Sequence, residues 1–145
     1  MTLQEVKQKL LDIKPAAFEP DWYLLPWFNP AVCEYYVANA VEIVPTAIRW
    51  GQGKPFCCHL NSLEHASAHP GSVPYWGMQY LEWAPVYGQE VAASWEVHSI
   101  AVEPDGTVID SGEYVPAKTR YVMVPWSWQL HDLLTKGMER RPYDR

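Results

Sequence analysis

The feature that most constrains the fold is Glu103-Pro104-Asp105-Gly106, which reverses the chain between two apolar runs. Pro presets the second turn position and Gly accepts a left-handed backbone, so a strand over Ser94–Glu103 returns over Thr107–Val115. Tyr75–Trp83 and Arg120–Val124 are runs of the same kind, short, aromatic or β-branched, and bounded by turn residues. Together they predict a four- to five-stranded antiparallel sheet. The first half of the chain differs. Thr2 can cap a helix over 2–14, with Leu3, Val6, Leu10 and Ile13 at helical spacing. Residues 15–30 hold four prolines and read as an ordered, irregular segment, and 31–49 fit helix or strand equally. After the turn Gly51-Gln52-Gly53-Lys54-Pro55, a helix starts near Cys57 or Cys58 and runs to about Ala68, where His69-Pro70-Gly71 ends it. A last helix covers Trp128–Met138, before a loose tail. Helices followed by a sheet make an α+β fold, with the N-terminal helical part packed on the sheet. One domain is expected over 1–145, divided into 1–49, 50–70, 75–124 and 127–145.

Composition excludes several function classes. With 48% hydrophobic and 19% charged residues, the chain is not intrinsically disordered. Eleven Lys and Arg against seventeen Asp and Glu give a net charge of −6. No basic cluster precedes Arg140-Arg141, so a nucleic-acid partner is not expected. No apolar run reaches the ~18 residues of a membrane span. The first helix carries charges throughout and lacks a signal-peptide core, so the expected location is the cytoplasm. Three cysteines, two of them adjacent, fit a reducing compartment rather than a disulfide framework. Eight Trp and nine Tyr supply core and rim packing.

The chemistry-bearing segment is Gly51 to Asn61, GQGKPFCCHLN. A glycine turn here delivers a Cys onto the first turn of a helix, where unused N–H groups and the positive dipole end favour a thiolate. The same N–H groups point where a tetrahedral oxyanion forms, and a side-chain amide from the preceding loop, such as Gln52, supplies a second donor. Strand geometry then locates a base. With Pro104-Asp105-Gly106 as a three-residue loop, Glu103 faces Thr107, Ile100 faces Asp110 and His98 faces Gly112. His98 and Asp110 become diagonal neighbours on one face, ~7–8 Å apart at Cα, within reach of a carboxylate–imidazole hydrogen bond. A two-residue loop would place them on opposite faces.

Gln52, Cys58 six positions later, and His98 and Asp110 beyond them resemble the oxyanion Gln, nucleophilic Cys, His and orienting residue of papain-like cysteine peptidases. That superfamily includes cell-wall endopeptidases and transglutaminase-like proteins. Cys58-His59-Leu60-Asn61 and His98…Val108-Ile109-Asp110 also resemble the Cys-x-x-Asn and Val-Ile-Asp motifs of short bacterial or phage members. The resemblance spans about residues 50–115. It implies a papain-like core with Cys58 as nucleophile, His98 as base, Asp110 as its orienter and Gln52 in the oxyanion hole. The implied activity is hydrolysis of an amide, peptide or isopeptide bond through a Cys58 thioester, on a peptide or protein substrate and with no cofactor. The offset from Gln52 and the position of Asn61 select Cys58 over Cys57.

Other readings compete. The same residues serve acyl transfer, and an inactive module of this fold would use its Trp-rich surface to bind a protein partner. Cys58, His65 and His69 share a helix face at spacings that suit zinc, though no fourth ligand is evident.

Overall fold

The computed structural model describes residues 30–51, 53–54, 57–83, 92–112 and 117–139. The helix expected over 2–14, the segment up to residue 29, Gln52 and the tail lie outside the described residues. In chain order the elements are α1 (Pro30–Asn39), β1 (Val41–Ile43), β2 (Ala47–Arg49), α2 (Cys58–Ala68), β3 (Val73–Trp83), β4 (Ala92–Val102), β5 (Thr107–Ile109), β6 (Ala117–Pro125) and α3 (Trp128–Glu139). Val41–Pro125 form one compact unit, and the described residues on either side form another.

The expected class, α+β, is what the chain adopts, but the sheet corrects the expectation in strand number and direction. It has six strands in the order β1-β6-β3-β4-β5-β2. It is mixed rather than purely antiparallel, because β2 runs parallel to β5. The two added strands come from the ambiguous stretch 31–49. Pro30 occupies the first position of α1, where its missing N–H costs nothing, and the remainder divides into two three-residue strands. Strands that short carry no readable periodicity. Only Val44-Pro45-Thr46 separate β1 from β2, yet these strands lie at opposite ends of the sheet order, so the sheet curls.

The hairpin forms as its turn chemistry dictates. Ala101 pairs with Ile109 and Val102 with Val108. The Glu103 N–H donates to the Thr107 carbonyl at 2.9 Å, and the Gly106 N–H to the Glu103 carbonyl at 2.9 Å. Gly106 has φ +88°, and a Cβ there would collide with the Thr46 hydroxyl. Gly106→Ala is therefore expected to cost at least ~1–2 kcal/mol, the penalty of a left-handed L-residue, before any displacement of Thr46. Thermal unfolding checks this, and an unchanged melting temperature would contradict it.

β5 is shorter than expected, ending at Ile109 instead of Val115. Beyond Ile109 the chain leaves β4 for β2: the Asp110 N–H donates to the Arg49 carbonyl at 2.9 Å, and the Gly51 N–H to the Gly112 carbonyl at 2.8 Å. One face of the sheet carries the core of Ile100, Val108, Tyr121 and Met123, with Ile43, Ile48, Tyr75 and Val102 packed around it. α2 packs against β4 and β3. At the β1 edge, Arg120 grips Glu42 with two hydrogen bonds, Nε to Oε1 at 2.7 Å and Nη2 to Oε2 at 2.8 Å. The hydrogen bond from Arg120 holds the Glu42 carboxyl below its ordinary range.

In the other unit, α1 packs against α3, and Val32, Tyr36 and Leu130 are buried. Ser127 caps α3, its hydroxyl accepting from the Leu130 N–H at 3.1 Å. Among the described residues, no helix is long and apolar enough to cross a membrane.

Candidate active site

α2 begins at Cys58, and its first backbone bond runs from the Asn61 N–H to the Cys57 carbonyl at 2.8 Å. The N–H groups of the opening turn, that of Cys58 among them, are thus not used within the helix. Two features hold the loop in front of this turn. The Asn61 amide accepts from the Lys54 N–H at 3.1 Å and donates to the Lys54 carbonyl at 2.7 Å. Gly53, at φ +105°, lies against the same side chain, and a Cβ there would come within 2.6 Å of Asn61. Asn61 acts as a clamp between the loop and the helix it precedes. Gln52, the expected oxyanion donor, sits inside this loop and lies outside the described residues.

His98 and Asp110 meet as the hairpin register requires, with Nε2 of His98 2.8 Å from Oδ1 of Asp110. The Asp110 side chain is fully buried and that of His98 is 13% exposed. A buried carboxylate needs hydrogen-bond partners on both oxygens, and Asp110 meets that condition. Its Oδ1 also accepts from the Gly112 N–H at 2.8 Å, and its Oδ2 from the Tyr121 hydroxyl at 2.7 Å. Gln79, opposite Tyr121 on β3, hydrogen-bonds the phenol in turn. Burial and the Asp110 charge raise the Tyr121 hydroxyl far above its ordinary range, which keeps it a donor. Burial alone would raise Asp110, but the hydrogen bond and charge of His98 outweigh it and hold the carboxyl low.

Cys58 lies beside the ring of His98, close enough for each to shift the other's titration. With Nε2 given to Asp110, Nδ1 is the ring nitrogen left for the thiol. Burial pushes the Cys58 thiol up. Hydrogen bonds from His59 and His98, with the positive charge of both rings, reverse this and bring it down to about 6. Burial pushes His98 down, and the hydrogen bonds to Asp110 and Cys58 overcome this and lift it to about 9. Both shifts favour a thiolate beside an imidazolium near neutral pH. Cys58 opens onto a cleft of about 270 Å³ lined by Asn61, Ser62 and His65 of α2 and by Ser99, Ile109 and Ser111.

The zinc reading fares differently. His65 and His69 stack ring on ring, with centroids 4.0 Å apart, and His69 Nδ1 lies 2.9 Å from the His65 carbonyl. Among the described residues, no three His, Cys, Asp or Glu side chains are placed to hold a metal ion together.

Sequence reasoning missed Tyr121, Gln79 and Ser99. Each is a polar residue buried in the fold, and a buried hydroxyl or amide needs a partner, but the partner is set by how strands and helix pack rather than by any local pattern. Comparison with protein-family models, with curated proteins and with solved structures finds no match to this chain, and so no link to the papain-like peptidases that its motifs resemble.

Proposed function

We propose that the protein is a cysteine-dependent hydrolase of an amide bond, papain-like in the arrangement of Cys58, His98 and Asp110. The observation that carries the reading is one imidazole, His98, hydrogen-bonded to a buried carboxylate and set beside a thiol at a helix N-terminus. The Cys58 thiolate attacks the carbonyl carbon, and the carbonyl electron pair moves to oxygen, facing the unused N–H groups of the first turn of α2. His98 gives its proton to the departing nitrogen as the C–N bond breaks, leaving a thioester. Water then loses a proton to His98 and displaces the sulfur. Asp110 keeps the ring oriented and balances its charge, and Tyr121 fixes Asp110.

The test is turnover of a panel of chromogenic amides and peptides as a function of pH. Below about 6 Cys58 gains a proton and stops being a nucleophile. Above about 9 His98 loses the proton that the leaving nitrogen needs. The expected kcat/KM profile is a bell between these limits, which belong to the coupled pair. A single rising limb centred near the ordinary thiol value of ~8.5 would contradict the reading.

A further inference from the structure

We infer that His59 is a second catalytic imidazole, anchored by the buried Ser99 hydroxyl and hydrogen-bonded to the Cys58 sulfur, which stabilises that sulfur as nucleophile and as leaving group. The inference rests on the hydrolase reading above.

Two consecutive residues of β4 organise the site. His98 and Ser99 project to opposite faces of the strand, as neighbours in a strand must. Ser99 is 1% exposed, and a buried hydroxyl is costly without a partner. Its partner is Nδ1 of His59, across from it on α2. With Nδ1 engaged by Ser99, Nε2 is the ring nitrogen left for the sulfur of the preceding residue, Cys58, whose thiol His59 lowers. The His59 backbone is fixed as well, because the Ser62 hydroxyl donates to its carbonyl at 2.8 Å. The sulfur is therefore held by His98 from β4 and by His59 from its own helix turn, with Asp110 standing behind His98. Besides Cys58, the titratable groups that line the cleft are Glu64 and His65.

The two imidazoles divide the work. During acylation the sulfur electron pair forms the C–S bond, and His98 delivers a proton to the nitrogen as the C–N bond breaks. During deacylation His98 takes a proton from water, and the water oxygen bonds to the carbonyl carbon. When the resulting adduct collapses, the C–S electron pair returns to sulfur. His98 is then occupied with the proton from water, while the His59 N–H meets the charge arriving on sulfur. A stabilised thiolate is also the faster leaving group.

The test is alkylation of Cys58 by iodoacetamide as a function of pH in wild type, His59→Ala, His59→Gln, Ser99→Ala and His98→Ala, each checked for folding by circular dichroism. His59→Ala is expected to raise the reactivity midpoint by ~1 pH unit, or about tenfold less thiolate below it. Ser99→Ala should shift it the same way by less, and His59→Gln, which keeps an N–H donor, should fall between wild type and His59→Ala. The acetyl-enzyme formed from p-nitrophenyl acetate should also hydrolyse several-fold more slowly in His59→Ala. An unchanged midpoint in folded His59→Ala would overturn the inference. An unchanged midpoint in His98→Ala alone would instead overturn the assignment of His98 as the base, so the two failures are distinguishable.

Discussion

Cys58→Ala is expected to abolish turnover, by on the order of 10⁶, the scale on which hydrolases with a nucleophile and paired base lose rate when the nucleophile is removed. The fold should persist. Cys58 is only partly buried, at the opening turn of a helix whose next turn is fixed by the Asn61 clamp and the Ser62 hydroxyl. Turnover by the same amide panel, beside the thermal melt of the variant, checks both halves of this expectation. Residual activity equal to wild type would remove Cys58 from the mechanism, whereas loss of activity together with the fold would say nothing specific about the sulfur. Cys57 is the internal control, because it immediately precedes α2 and Cys57→Ala should leave turnover near wild type.

Asp110→Asn should lower turnover by up to ~10⁴, as it does where an amide replaces the carboxylate behind a catalytic imidazole. In the native site Oδ1 accepts from His98 and Gly112, and Oδ2 accepts from the Tyr121 hydroxyl. An amide has one oxygen for these three donors. Oriented toward His98 and Gly112, it turns an NH₂ group on the Tyr121 hydroxyl, which Gln79 already hydrogen-bonds from behind. The mismatch is expected to cost ~1–3 kcal/mol of stability, the price of a poorly paired buried polar group. The pH profile should change in a direction fixed by sign. Asp110 helps to hold the His98 proton, so losing its charge moves the basic limb below about 9. Tyr121→Phe keeps the carboxylate and should be far milder in rate. Full turnover in Asp110→Asn, with the basic limb unmoved, would show that another group orients His98.

Those two residues also mark how far the site can be read from sequence. Asp110 was legible because Pro104-Asp105-Gly106 prescribes a loop length, and a loop length prescribes which side chains share a face. The start of α2 was legible for a similarly local reason, a glycine turn followed by a run ended by Pro70 and Gly71. Tyr121 was not legible, since it reaches Asp110 only because β6 lies beside β3, and strand order is written in no local pattern. β1 and β2 were hidden by their length, and the parallel pairing of β2 with β5 follows from the curl that brings the two ends of the sheet together. Ser99 could have been suspected, as a hydroxyl opening onto the apolar run Ile100-Ala101-Val102 of β4, but its partner on α2 needs the packing of helix on sheet. His59 stands in the run Cys58-His59-Leu60-Asn61, and no local pattern gives it a partner on β4.

Cys58 is expected to be a thiolate at neutral pH because His98 and His59 hold it so. The most direct measurement is the ultraviolet absorbance of the thiolate as pH is varied, taken as the difference between wild type and Cys58→Ser so that Cys33 and Cys57 cancel. The expected midpoint of that difference is about 6. A midpoint at the ordinary thiol value of ~8.5 would contradict it.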